Sequence, residues 1–368
     1  MEVTPYLKLM AEKTASDLFF CTGTEPHLKI EGLIRPIGQQ KLMPGDVDKM
    51  AKAIMSDAQR EEFEDTMECN FAIPLKGVGR FRVNIFRQRG EVSIVIRYIQ
   101  SHIPRIEEIN LPKALEKIIM EKRGLVLVVG ATGSGKSTTL AAMIGHRNRN
   151  SSSHILTIED PLEFIHHHEK SIVQQREVGI DTANYGNALK NALREAPDVI
   201  LIGEIRDMDT MKHAINYAET GHLCLATLHA NNANQAIDRI LNFFPEVYHR
   251  QLLTDLSLNL RSIVSQRLLI ADDGKRVPAV EVMLNSPYIS ELIVKGDIGG
   301  IKEAMKESTE ADMITFDQAL LALYRKGHIS LNEALHNADS KNDLGLAVRM
   351  GGGEVIEEDE DDSELILG

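Results

Sequence analysis

Gly124-Leu-Val-Leu-Val-Val-Gly-Ala-Thr-Gly-Ser-Gly-Lys-Ser-Thr-Thr139 is the stretch that decides the fold. Leu125 to Val129 is an unbroken apolar run of strand length, which predicts a strand covered on both faces. Gly130 then opens the spacing Gly, four residues, Gly135-Lys136-Ser137, the pattern of a phosphate-binding loop. The candidate binding residues are Gly130, Ala131, Thr132, Gly133, Ser134, Gly135, Lys136, Ser137 and Thr138. Each type has a physical task. The glycines let the backbone curl so that successive N–H groups face an anion. A helix starting near Lys136 adds the positive end of its dipole. Lys136 is a mobile cation for the outer phosphates. The hydroxyl of Ser137 is a hard oxygen ligand suited to Mg²⁺. A strand before the loop and a helix after it separate the motif from a chance glycine-rich turn.

Working outward, a chain of 368 residues exceeds one ordinary core, which predicts two domains. The composition, 43% hydrophobic and 26% charged, is that of a globular protein. The net charge of −13 argues against wholesale attraction to nucleic acid or to an anionic membrane. Residues 354–364 carry eight acids and no base, which predicts a disordered acidic tail over 349–368. Cys21, Cys69 and Cys224 are far apart, with no CxxC pair; this predicts a reducing compartment and no zinc. No apolar stretch has the length of a membrane span, and Met1-Glu-Val-Thr-Pro-Tyr6 lacks the pattern of a secretory signal, so the expected location is cytoplasmic.

Upstream of the loop, residues 1–100 read as an α+β domain and 101–111 as a linker around Pro104. Three strands, Cys69–Leu75, Arg80–Phe86 and Val92–Ile99, follow helical patterns. In the second, Arg80 and Arg82 share one face while Phe81, Val83 and Ile85 share the other. With Arg97 on the next strand, these arginines fit either a solvated sheet face or a phosphate-seeking set, and spacing does not decide.

Downstream, 112–348 alternates helix and strand patterns, which predicts a mainly parallel α/β sheet. Strands Ile155–Ile158, Asp198–Ile202 and Leu223–Leu228 are followed by Glu159-Asp-Pro-Leu-Glu163, Gly203-Glu204 and His229. Ligands of such sheets sit at the carboxyl ends of the strands, where these groups fall. From about residue 246 the pattern becomes mostly helical, with a strand pair near 267–284. An acid at the tip of a buried strand beside a phosphate loop is the expected partner of Mg²⁺ or its water, which selects Glu204. A carboxylate of the Glu159–Glu163 cluster can deprotonate the attacking water, or the acids can simply favour a helix N-terminus. Glu163 is the choice for the base, with Glu159 open as the alternative. His222 and His229 bracket a strand and are either phosphate sensors or structural histidines. His166-His167-His168-Glu169 reads as a bland surface loop rather than a metal site.

Four boxes occur in order: the phosphate loop, Thr157-Ile-Glu-Asp-Pro-Leu-Glu163, Ile202-Gly-Glu-Ile-Arg-Asp207, and Thr220-Gly-His with Thr227-Leu-His229. Together they resemble the secretion ATPase superfamily, and within it the PilT/PilU family of type IV pilus retraction ATPases, over roughly residues 3–348. Glu68-Cys-Asn-Phe-Ala-Ile73 and Leu223-Cys-Leu-Ala-Thr-Leu-His-Ala-Asn-Asn-Ala-Asn-Gln235 look closest to the PilU branch, the accessory motor.

The resemblance implies a PAS-like N-terminal domain, a RecA-like ATPase domain with a helical C-terminal part, and a homo-hexameric ring at the cytoplasmic face of the inner membrane. It implies ATP and Mg²⁺, with nucleotide between the two domains. It assigns Glu163 to water activation and Glu204 to Mg²⁺, and directs Arg82 and Arg97 to the phosphates. His222 and His229 match its histidine box. The implied partners are the principal retraction ATPase and the inner-membrane platform protein of the pilus, with no nucleic acid. The four-cysteine zinc motif of pilus-assembly motors is absent, which favours retraction. The principal motors carry an Ala-Ile/Val-Arg-Asn-Leu helix; here Ser286-Pro-Tyr-Ile-Ser-Glu-Leu-Ile-Val294 lacks its arginine and asparagine. The expected activity is ATP hydrolysis that powers or assists retraction. The rival is a regulatory nucleotide-binding module acting on another ATPase; a helicase is disfavoured by the acidic balance and the lack of a basic aromatic stripe.

Overall fold

A computed structural model describes residues 2–30, 32–99, 102–308 and 312–350, so the acidic tail lies almost wholly outside the described residues. The chain begins with α1 (Thr4–Glu12), β1 (Asp17–Phe20), β2 (His27–Ile30) and β3 (Leu33–Pro36). Next come α2 (Asp46–Ile54), α3 (Asp57–Thr66), β4 (Glu68–Leu75), β5 (Gly79–Gln88) and β6 (Glu91–Ile99). Then α4 (Ala114–Ile119), β7 (Gly124–Val129), α5 (Lys136–Asn150), β8 (His154–Glu159) and β9 (Ile172–Glu177) follow. The alternation continues through α6 (Tyr185–Ala192), β10 (Val199–Ile202), α7 (Met208–Glu219), β11 (Leu223–Leu228) and α8 (Ala233–Asn242). It proceeds through α9 (His249–Asn259), β12 (Leu260–Ile270), β13 (Arg276–Leu284), α10 (Pro287–Lys295) and α11 (Gly300–Lys306). The described chain closes with α12 (Phe316–Arg325), α13 (Leu331–His336) and α14 (Lys341–Met350).

Two compact units are formed, and each draws on two chain segments: Met1–Pro104 with Asn148–Glu204, and Arg105–Arg147 with Ile205–Gly368. In the first, six antiparallel strands run β3-β2-β1-β6-β5-β4, in the same unit as α1, α2 and α3, an α+β arrangement. Alternation along β5 sends Phe81, Val83 and Ile85 into a core shared with Leu18, Ile94 and Ile96. The opposite face carries Arg80 and Arg82, and Arg82 stands directly across from Arg97 on β6. Like charges directly opposite one another on a sheet are destabilising, so this pair needs acids nearby. The same unit holds the parallel ladder β10-β8-β9.

In the second unit β11, β7 and β12 are parallel and β13 closes the edge antiparallel to β12. Every residue of β7 and of β11 is buried, as strands covered on both faces should be; Thr227 is the one polar residue of β11. The helical C-terminal part packs Phe316, Leu320 and Leu344 on Leu269, Val277 and Ala279. The chain is thus an α/β protein with a helical C-terminal part. Two sequence expectations are corrected. Residues 172–177 form β9, for which no strand was expected, because its polar Gln174, Gln175 and Arg176 hide the pattern. The late strand pair starts at Leu260, not near 267, because buried Ser262, Ser265 and Gln266 break the apolar run of β12. No helix among the described residues is long and apolar enough to cross a membrane.

Candidate functional site

The phosphate loop folds tightly where β7 ends. Gly130, Gly133 and Gly135 have φ of 158°, 78° and 92°. The conformations at Gly133 and Gly135 lie in the region that favours glycine. Space adds a second constraint. A Cβ on Gly130 would lie 2.3 Å from Ser134 Oγ and 2.6 Å from the Gln266 carbonyl oxygen. A Cβ on Gly135 would lie 2.7 Å from Gln266 Nε2. Lys136 Nζ donates to the carbonyls of Gly130 and Ala131 at 2.8 and 2.9 Å, so its ammonium folds back across the loop. Thr139 is buried and donates to Gln266 Oε1 at 2.6 Å. Ser137 in the first turn of α5 is exposed, so its hydroxyl is available to a metal ion while Thr139 serves the interior. This placement and the hard oxygen donor fit Mg²⁺.

Around the loop the second unit forms two open cavities. One, of about 430 Å³, is lined by Gly130, Ala131, His229, Asn231 and residues of α8. The other, of about 280 Å³, is lined by Ala131–Ser134, Asn231 and Gln266–Leu268. His229 therefore sits beside the loop. His222 does not: β11 and β7 are parallel, and His222 precedes the Leu223↔Gly124 pairing at their amino ends. Its Nδ1 lies 3.1 Å from Thr220 Oγ1 and 3.2 Å from the Tyr217 carbonyl, a local structural setting. The strand length of six residues puts it roughly 20 Å from the loop end of β11.

The first unit gathers the acids and arginines. The amide of Gly203 donates to the Ile158 carbonyl at 2.8 Å, so Glu204 follows β10 beside the end of β8. A Cβ at Gly203 would approach the Glu159 Cα to 3.1 Å and Tyr185 Oη to 2.8 Å, which makes this close passage specific to glycine. The Glu159–Glu163 segment is not a helix N-terminus; it is irregular chain leaving β8. Glu159 accepts from Thr157 Oγ1 at 2.7 Å and from Gln175 Nε2 at 3.4 Å. Burial nevertheless raises its pKa to about 7, against those two hydrogen bonds, with the charges of Glu163 and Glu177 adding to the rise. Arg97 donates through Nε to buried Asp17 at 2.9 Å; that bond, and the charges of Asp17 and Glu163, raise its pKa against burial. Arg82 Nη1 lies 3.6 Å from Glu177 Oε1 at the end of β9. Thus Arg97 and Glu163 are within each other's electrostatic reach, and Arg82 faces an acid that sequence reading missed.

Two further residues escaped the sequence reading. Gln266 supports the loop from beneath, and Glu177 lies in the strand that was not expected. The only signal for either is a polar residue in a segment that the fold buries. The histidine run is also corrected: His166 is buried, not on a surface loop, and burial lowers its pKa to about 4, with the charges of Arg149 and His167 acting in the same direction.

Comparison with known proteins adds independent findings. The family model for "Type II/IV secretion system protein" matches residues 3–317. The chain is 53% identical over 352 residues to the type IV pilus ATPase PilU of Pseudomonas aeruginosa, covering 95% of this chain and 92% of that protein. It is 41% identical over 338 residues to the type IV pilus retraction ATPase PilT of the same organism, covering 92% and 98%. Its fold matches a crystal structure of the pilus retraction motor PilT with bound ADP, with a TM-score of 0.88, 39% identity, and coverage of 94% and 99%.

Proposed function

The chain belongs to the type II/IV secretion system protein family, and from this premise we propose that it is an ATP-hydrolysing motor of type IV pilus retraction, accessory to a principal retraction ATPase. The observation that carries the reading is the phosphate loop itself, with Lys136 turned over its glycines and an exposed Ser137 at the head of α5. The likeness to PilU and to ADP-bound PilT agrees with it.

In the proposed reaction the loop amides and Lys136 bind the phosphates of ATP. Ser137, with Glu204 through a water, would hold Mg²⁺, which supplies charge neutralisation at the phosphates. Glu163 takes a proton from water as the water oxygen bonds to the γ-phosphorus and the bond to the bridging oxygen breaks, leaving ADP and phosphate. Arg82 and Arg97 stabilise charge on the transferring group, and His229 borders it from the carboxyl end of β11. We assign residues 1–100 to a PAS-like domain, 101–111 to a linker, 112–348 to the ATPase domain and 349–368 to a tail. The working assembly is a homo-hexamer on the cytoplasmic side of the inner membrane, engaging the platform protein of the pilus machinery.

The accessory role rests on α10. Its apolar face is kept, with Ile289, Leu292 and Ile293 buried. Its polar positions are spent within the protein: Ser290 Oγ donates to the Ser257 carbonyl at 3.0 Å, and exposed Glu291 pairs with Lys295 at 2.6 Å. Ser290 and Glu291 stand in place of the principal motors' arginine and asparagine, and replacing a cation with an anion disfavours the same docking contact. The test is ATP turnover by the purified protein with and without the principal retraction ATPase. Turnover that Lys136→Ala abolishes supports a motor; no turnover alone, with stimulation of the second ATPase, would favour the regulatory module.

A further inference from the structure

Glu177 stands out among the acidic groups of the first unit. It is 0% exposed, and neither carboxylate oxygen has a hydrogen-bond partner among the described residues. The nearest cation is Arg82, whose Nη1 lies 3.6 Å from Oε1, too far for a hydrogen bond. Burial raises the Glu177 pKa; the charges of Arg82 and then Arg80 oppose the rise, Asp181 adds to it, and the Leu162 backbone amide, outside hydrogen-bond geometry, opposes it weakly.

The main chain of the same residue is fully engaged. Its amide donates to Asp181 Oδ2 at 3.0 Å, and its carbonyl accepts from the Asp181 amide at 2.8 Å. The turn after β9 is therefore built without the side chain. A buried carboxylate left without hydrogen bonds is costly, and a glutamine or an apolar residue there would cost less. The retained charge has to act on something, and the group in front of it is Arg82.

The neighbouring pair sharpens the contrast. Arg97 stands across from Arg82 on the adjacent strand and holds Asp17 at 2.9 Å through a formed hydrogen bond. One arginine is fastened; the other is attracted but not fastened. Three phosphate oxygens present a stronger acceptor set for a guanidinium than one carboxylate 3.6 Å away.

We propose that Glu177 is a positioning residue that parks the Arg82 guanidinium and gives it up to the γ-phosphate of ATP. Glu177 thereby competes with nucleotide for one cation and sets the ATP concentration at which the site fills. The proposal rests on the reading that Arg82 addresses phosphate.

The experiment is a double-mutant cycle on the full chain, read as KM and kcat for ATP. Glu177→Gln lowers KM on the order of tenfold, with kcat within about twofold, because the competitor has lost its charge. Glu177→Asp, one methylene shorter but still charged, gives a smaller fall. In an Arg82→Ala background Glu177→Gln leaves KM unchanged, since no guanidinium remains to be held. Equal effects of Glu177→Gln in both backgrounds, or a KM unchanged or raised in wild type, overturn the proposal. If Glu177→Gln does not fold, the Asp variant is run through the same cycle, and equal KM changes in both backgrounds overturn it. An Arg82→Ala variant with wild-type KM and kcat instead overturns the phosphate role of Arg82, whatever Glu177 does.

Discussion

Lys136 donates its ammonium to the carbonyl of Gly130 at 2.8 Å, so the cation is held by the first residue of its own loop. A triphosphate entering the loop must exchange these neutral carbonyl acceptors for charged oxygens, a trade that favours the nucleotide. Lys136→Ala removes the cation without disturbing the glycines. Turnover is expected to fall at least about 100-fold, with weaker binding of a fluorescent ATP analogue. Retained turnover and affinity would remove Lys136 from the site.

Arg97 is bound to buried Asp17, so its substitution has two consequences. Arg97→Ala lowers turnover through lost phosphate contact and leaves Asp17 Oδ1 without its cation, with Ser16 Oγ still donating to Oδ2 at 2.9 Å, costing about 1 kcal/mol of stability. Arg97→Lys keeps the charge and restores part of the stability but not the planar contact. Melting temperature and kcat, measured on both variants, separate the two effects.

Glu163 and Glu159 differ in setting. Glu159 is bonded to Thr157 and Gln175, while Glu163 lies on irregular chain within electrostatic reach of Arg97. Glu163→Gln is expected to abolish turnover, by about 100-fold or more, and to leave nucleotide binding in place. Glu159→Gln with the larger loss of kcat would reverse the assignment.

Glu159 also makes stability depend on pH. Its folded pKa of about 7 lies above the ordinary 4.5, so the folded state keeps a proton that the unfolded state has lost. Stability therefore falls as pH rises from roughly 4.5 to 7 and levels off above, by at most on the order of 3 kcal/mol. Glu159→Gln should flatten that slope. Its melting temperature should gain on wild type between pH 5 and pH 8; a constant gap across that range would contradict the buried-acid account.

Gln266 ties the base of the loop to Thr139 through a 2.6 Å hydrogen bond. Gln266→Leu leaves the buried Thr139 hydroxyl unsatisfied, costing about 1–3 kcal/mol, and removes the amide packed against Gly135. KM for ATP is expected to rise several-fold, as the loop loses its floor, while Gln266→Glu keeps an acceptor and does less damage at low pH. Calorimetry alongside kinetics checks both parts.

Much of this molecule can be read from its residues, for a reason visible in its strands. β7 and β10 are apolar throughout and β11 is apolar except for buried Thr227, because both faces are covered, and the phosphate loop needs glycines at fixed places. The boundaries of β11 and the start of α5 coincide with the expected ones. Where the fold buries polar side chains, periodicity fails. β9 reads Ile-Val-Gln-Gln-Arg-Glu, and its inward residues include Glu177. β12 conceals Ser262, Ser265 and Gln266 in its interior. Those segments carry partners for the loop and the arginines, so selection by burial and selection by chemistry point in opposite directions there. The separation of His222 from the loop was legible, since it precedes the strand whose carboxyl end carries His229 and β11 runs parallel to β7.

The ion pair between Arg82 and Glu177 joins two chain segments that form one compact unit, with residues 105–147 looped out between them. During synthesis the arginine strand leaves the ribosome well before its acid. At about 5–20 residues per second, the intervening chain takes roughly 5–20 s to appear. For that interval the arginines of β5 and β6 form an exposed cationic face without one of their acids. A fragment ending at Pro104 would carry that face permanently, so an amino-terminal piece expressed alone is expected to bind polyanions that the whole chain leaves alone.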